Sequence, residues 1–183
     1  MSEHPTGLRP LILASTSPYR RELLERLRLP FAVVAPGVDE TPQPGEAPAA
    51  LALRLAKSKA RAVGRLHPGA LVIGSDQVAT LGEGVIGKPG DFDRALAQLR
   101  AMRGNTVTFY TAVAVDDGER VECATVETRC RLRDVPDRAL RAYLAAERPF
   151  DTAGSAKAES LGIALMERIE SDDPTALIGL PLI

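Results

Sequence analysis

Tryptophan is absent from this 183-residue chain, and cysteine and histidine occur only twice each. Each scarcity removes a class of chemistry. Two cysteines, Cys123 and Cys130, cannot form a disulfide framework, and no neighbouring residue completes a metal-ligand spacing. Both lie in an alternating, strand-like stretch, where free thiols are expected to be buried. His4 sits in a polar tail and His67 beside a Pro-Gly turn, so a Ser-His-Asp triad, a zinc site or a histidine base has no candidate. The first ten residues contain no apolar run like a signal peptide, and no segment approaches a membrane span, so a soluble cytoplasmic protein with no membrane partner is expected. Charge of one sign is also lacking. Lys and Arg number 23 against 24 Asp and Glu, for a net charge of −1, which offers no basic stripe to nucleic acid.

What is present is an ordinary globular composition, 45% hydrophobic and 26% charged. It predicts a single domain over residues 1–183 with an ordered body at about 10–182. Leu11-Ile12-Leu13-Ala14 reads as a buried strand, Ser17 as an N-cap and Pro18 as the first residue of a helix running to 28. A strand at 31–34, a proline-rich link at 41–48 and a long helix at 51–64 follow. Residues 70–74 read as a third strand running into Ser75-Asp76-Gln77. Glycines 82, 84 and 87 give a hairpin-like loop closing on Lys88-Pro89, so neither a P-loop nor a dinucleotide-binding turn is expected. A helix at 91–102, strands at 106–115 and 120–132, a helix at 136–146 and an irregular stretch at 151–162 complete the pattern. The fold class is α/β, a mixed twisted sheet flanked by helices.

Four polar clusters follow apolar strands, where ligand sites gather in α/β sheets. Ser15 to Arg21 places hydroxyls, helix-terminal amides and arginines together, a set suited to phosphate oxygens or to an ordinary capped helix. Asp39-Glu40 on its own reads as solvated acids. Asp76 is expected to emerge from the core at a strand end, where a carboxylate must be paired, metal-bound or used. Lys57, Lys59 and Lys88 are candidate partners of positive charge. Asp151 to Glu159 is rich in small residues, which lets backbone approach a ligand. Spacing alone leads no further than a nucleotide or phosphate-ester hydrolase.

The ordered segments go further. Leu13 to Leu24, Asp39-Glu40, Leu55 to Ala60, Gly74 to Val78, Gly87-Lys88-Pro89, Ala153-Gly154 and Ile178 to Pro181 resemble, in order, the motifs of the Maf family of nucleoside triphosphate pyrophosphatases. The resemblance implies a fold akin to inosine triphosphate pyrophosphatases and hydrolysis of a nucleoside triphosphate to monophosphate and diphosphate. It implies a divalent cation, Mg²⁺ or Mn²⁺, a cytoplasmic location and, in many members, a homodimer. Carried over by motif, Asp76 is the catalytic residue that orients or deprotonates water. Ser15, Arg20, Lys59 and Lys88 bind substrate, and Glu40 with Asp76 holds the metal. Lys57 matches less specifically and reads as a solvated helix lysine.

Base choice rests on three positions. The family branch that hydrolyses dTTP and UTP has arginine, threonine and glutamine where this chain has Tyr19, Gln77 and Glu159. The chain is instead similar to the branch acting on 7-methyl-GTP, from which it departs at Ala156 and Ser160. An aromatic face suits a cationic methylated ring, and a carboxylate suits the N1–H and N2–H₂ edge of guanine. The remaining alternatives are a dTTP/UTP pyrophosphatase and a non-catalytic nucleotide-binding role in cell division.

Overall fold

The computed structural model describes residues 9–183, so His4 lies outside the described residues. Among these residues seven strands and four α-helices follow one another, beginning β1 (Leu11–Ala14), α1 (Pro18–Glu25), β2 (Ala32–Val34), α2 (Pro48–Gly64), β3 (Leu71–Leu81) and β4 (Gly84–Ile86). They continue with α3 (Phe92–Met102), β5 (Thr106–Asp116), β6 (Val121–Leu132), α4 (Asp137–Glu147) and β7 (Met166–Ser171). The strands form one mixed sheet in the order β2-β1-β3-β5-β6-β7, with β4 paired to β3. β1 runs parallel to β2 and β3, and the other pairings are antiparallel. The expected mixed α/β sheet with flanking helices is what forms.

Side-chain caps mark the starts of α1 and α3. Ser17 accepts the Arg20 N–H at 3.4 Å with Pro18 in the first turn, and Asp91 accepts the Arg94 N–H at 2.9 Å. Helix α1 ends at Glu25, three residues short of the expected 28, and Arg28 takes a left-handed conformation at φ 55°. On one face of the sheet α2 buries Leu55, Ala56 and Ala60 against Ile12, Val72, Ala112 and Ala114. The opposite face carries two clusters. α3 and α4 pack Leu96, Leu99 and Leu144 on Val107 and Phe109, while α1 packs Leu23 and Leu24 on Leu13 and Leu180.

Three expectations need correction. Asp76 sits in the middle of the eleven-residue β3, because Val72 to Leu81 pair continuously with β5 and carry the strand through its polar residues. Cys123 is exposed while Cys130 is buried. The two lie seven residues apart and so on opposite faces of β6: Cys130 packs into the α3–α4 cluster, while the Cys123 face stays exposed from 123 to 131. β7 itself had no counterpart among the strands expected from sequence. The glycines from 82 to 87 spell G-x-G-x-x-G in letters, but they form the turn of the β3–β4 hairpin and open no helix.

Gly74 seats α2 on the sheet. A Cβ there would lie 2.6 Å from the Ala60 amide and closer still to the Ala56 carbonyl oxygen, so α2 rests directly on the β3 backbone. That contact sets Lys59 over Asp76.

Candidate active site

β1 stops opposite Gly74 and β4 joins β3 only at Ala79, so the stretch from Ser75 to Val78 keeps one open edge. A cleft of about 320 Å³ opens on this gap. Ser15, Tyr19, Arg20, Glu40, Lys59, Asp76, Gln77 and Lys88 all line it. Of the nine site residues expected from sequence, only Glu159 lies outside the cleft, in an adjoining recess.

Lys59 is the hub of the charged half. Its Nζ donates to Asp76 Oδ1 at 2.6 Å and lies 2.7 Å from Glu40 Oε1. Lys59 and Asp76 are buried, while the Glu40 side chain is largely exposed. Burial pushes the Asp76 carboxyl above its ordinary range, against the opposing pull of Lys59 and Arg20. A carboxylate destabilised in this way is a better proton acceptor than a solvated one.

Arg20 donates its Nε–H to the Gly179 carbonyl at 2.8 Å, which leaves the outer guanidinium nitrogens unengaged among the described residues. Burial lowers its pKa while Asp76 and Glu40 oppose, and the group stays a cation. Gly179 is held there by its own loop. Asp173 accepts the Thr175 hydroxyl at 2.6 Å and the Thr175, Leu182 and Ile183 amides at 2.7–2.8 Å, and those hydrogen bonds outweigh burial to keep its pKa low. Ser15 Oγ accepts the Ser17 N–H at 3.1 Å, so its own proton is free to donate. Lys88 stands exposed on the rim after the β4 hairpin, and Lys57, as expected, is outside the site.

The loop carrying Glu40 is tied to α2 by a residue that sequence reasoning missed. Arg54 donates to both Glu46 oxygens at 2.6 and 2.8 Å and to the Thr41 carbonyl at 3.0 Å. The Arg54 hydrogen bond, reinforced by the Gln43 amide, holds Glu46 down at about 2. Asp39, by contrast, caps its own turn through Thr41 and plays no part in the cleft.

The other half is lined by Tyr19 and Gln77. Tyr19 donates its hydroxyl to Asp151 at 3.0 Å, and the Lys157 ammonium stands 5.4 Å from its ring centroid. Burial would raise Asp151, but Tyr19 and Lys157 outweigh it and the group stays ionised. Gln77 turns its Nε2 to Thr111 Oγ1, Ala176 O and Leu177 O at 2.9–3.0 Å. With two carbonyls facing the nitrogen the amide orientation is fixed, and its Oε1 has no hydrogen bond among the described residues. Tyr19 and Gln77 line both the cleft and a recess of about 30 Å³ that Glu159 also lines. Although Glu159 is open to solvent on one side, burial raises its pKa, with Lys157 opposing and Glu147 and Glu22 reinforcing. Asp151, Lys157 and Arg54 carried no assigned role in the sequence, because their partners lie too far away in the chain, or on another element, to leave a local pattern.

No helix among the described residues is long and apolar enough to cross a membrane. Among them there is also no cluster of three or more metal-ligating His, Cys, Asp or Glu side chains.

Comparison with known proteins bears on this constellation. A 7-methyl-GTP pyrophosphatase of Bordetella avium is 66% identical over 173 residues, 94% of this chain and 88% of that protein. Proteins of the same name from Ralstonia nicotianae and a Polaromonas species are each 62% identical, over 95% and 98% of this chain and 91% and 82% of theirs. Among solved structures, a HAM1 protein from Coxiella burnetii aligns at a TM-score of 0.47 and 16% identity over 70% of this chain and 75% of that one. A likeness that slight bears on neither site nor substrate. The family described as Maf-like protein matches residues 10–183, and the chain belongs to the Maf family.

Proposed function

We propose that the protein is a divalent-cation-dependent nucleoside triphosphate pyrophosphatase that hydrolyses 7-methyl-GTP to 7-methyl-GMP and diphosphate. One observation carries this reading. A single cleft gathers a buried carboxyl of raised pKa with three cationic side chains, and it shares Tyr19 and Gln77 with a recess lined by a carboxylate. The names of relatives 58–66% identical to the chain support the same substrate.

In the reaction, Asp76 takes a proton from water as the oxygen attacks the α-phosphorus, and the bond from that phosphorus to the bridging oxygen breaks. The pair of electrons leaves with diphosphate. Arg20, Lys59 and Lys88 hold phosphate oxygens in line, with the Ser15 hydroxyl and the amides at the start of α1 as further donors. Asp76 Oδ2 and Glu40 Oε2 make no hydrogen bond among the described residues. Two hard carboxylates completed by water and phosphate oxygens suit Mg²⁺ or Mn²⁺. When bound, such a cation supplies neutralisation of the triphosphate charge.

Guanine presents N1–H and N2–H₂ to Glu159, whereas uracil and thymine present carbonyl oxygens beside their single N–H, which a carboxylate repels. Methylation at N7 makes the ring a cation, which the Tyr19 face favours. The recess is only about the volume of one water, so the 156–160 segment must move outward to admit the base. Two of the segment's residues are small, Ala156 on the recess wall and Ser160 next to Glu159.

The test is base discrimination. Glu159→Gln should lower kcat/KM for 7-methyl-GTP about 10- to 100-fold, the worth of a charge-assisted hydrogen bond. Tyr19→Leu should narrow the preference for 7-methyl-GTP over GTP about 2- to 30-fold, because only the methylated ring is cationic. Ratios unchanged in both variants would remove the base-recognition half of the reading.

A further inference from the structure

Building on that reading of Glu40 and Asp76, we propose that Lys59 is their resident counter-cation, so that a divalent metal enters together with a triphosphate and only poorly without one. The ammonium lies 2.6 Å from Asp76 Oδ1 and 2.7 Å from Glu40 Oε1, the position between two carboxylates that a small cation would otherwise take. It is 5% exposed, so its charge is poorly screened. Its backbone position is set by α2, which is seated on Gly74 through Ala56 and Ala60. What can move is the four-carbon stem, and the cleft beside it is where the proposed function places the phosphates.

The charge balance sets the direction. Lys59, Arg20 and Lys88 face Glu40 and Asp76 across the cleft. Asp151, the third carboxylate on its wall, is already engaged by Tyr19 and lies 3.7 Å from Lys157. A divalent ion arriving alone meets a surplus of positive charge and must share or displace the Lys59 contacts. A triphosphate reverses that sign and offers the ammonium new oxygens, which frees the two carboxylates for the metal. Metal and nucleotide are then coupled, and by linkage each raises the affinity for the other by the same factor.

Calorimetry of Mn²⁺ binding, read without turnover, tests this. Wild-type protein should bind Mn²⁺ weakly alone and roughly tenfold or more tightly with the non-hydrolysable α,β-methylene analogue of 7-methyl-GTP. Lys59→Met, shown to be folded by its thermal transition, should bind Mn²⁺ without nucleotide roughly tenfold or more tightly than wild type. Should that variant fail to fold, the wild-type comparison with and without analogue decides alone. Nucleotide-free wild-type protein binding Mn²⁺ as tightly as the variant, or as tightly as in the analogue complex, overturns the counter-cation role and leaves the metal pair standing. No Mn²⁺ uptake even with the analogue bound overturns the metal assignment of Glu40 and Asp76, and this inference with it.

Discussion

Asp76→Asn should lower kcat for 7-methyl-GTP by roughly 10²- to 10⁴-fold while the protein stays folded, the range over which a general base contributes. The substitution keeps the size and the buried position of the side chain, but an amide cannot take a proton from water or neutralise Lys59. The pH profile gives an independent signature. Burial raises the folded-state pKa of Asp76, so its base form is lost as pH falls through a value above the ordinary carboxylate range. Activity should therefore show an acid limb in that region, carried by kcat and missing from whatever activity the Asn variant retains. The same shift makes ionised Asp76 a cost to folding. Its contribution to stability is fully present below the unfolded pKa and is lost as pH rises through the folded one. A variant retaining most of the wild-type rate would remove Asp76 from the chemistry.

The second large effect is structural in origin and catalytic in consequence. Gly74→Ala should cost about 3 kcal/mol, at the upper end for overpacking, because the new methyl meets backbone atoms of Ala56 and Ala60 that have no rotamer to change. Helix α2 must lift to relieve the contact, and Lys59 rides on that helix directly above Asp76. A shift of about 1 Å in a catalytic constellation costs on the order of 100-fold, so activity should fall further than the fraction of folded protein does. Gly87→Ala is the control, since a Cβ there meets nothing within 4 Å. Chemical denaturation together with kcat at a temperature where both variants are folded checks the two parts separately. Equal stability of Gly74→Ala and wild type would mean that α2 is not seated as described.

These two residues also show where sequence reasoning reached and where it stopped. β1 and the turn after it were legible because the information is local, with four apolar residues followed by Ser17 as cap and Pro18 as first helical residue. Asp76 was legible as a carboxylate needing a partner, but its position was misjudged. Ser75-Asp76-Gln77 interrupts the apolar run, and only the long ladder to β5 shows that the strand continues. What ends at the site is β1, the neighbour, and a neighbour's length is invisible along one strand. The exposure of Cys123 is hidden for a different reason, since alternation along β6 does not say which of its two faces the helices cover. The bonds that shape the site join Lys59 to Asp76, Arg20 to Gly179 and Tyr19 to Asp151, separations from 17 to 159 residues with no periodic trace. The family motifs marked Tyr19, Gln77 and Glu159, whereas the contacts that Arg54, Asp151 and Lys157 make became visible only in three dimensions.

The measurement that bears most directly on the central claim is diphosphate release from 7-methyl-GTP, GTP, dTTP, UTP and CTP, each with Mg²⁺ or Mn²⁺ and with chelator. The expected result is the highest kcat/KM for 7-methyl-GTP, with 7-methyl-GMP and diphosphate as products and activity abolished by chelator. A preference for dTTP or UTP would contradict the roles given to Tyr19, Gln77 and Glu159, and no release from any nucleotide by folded protein would contradict the enzyme itself.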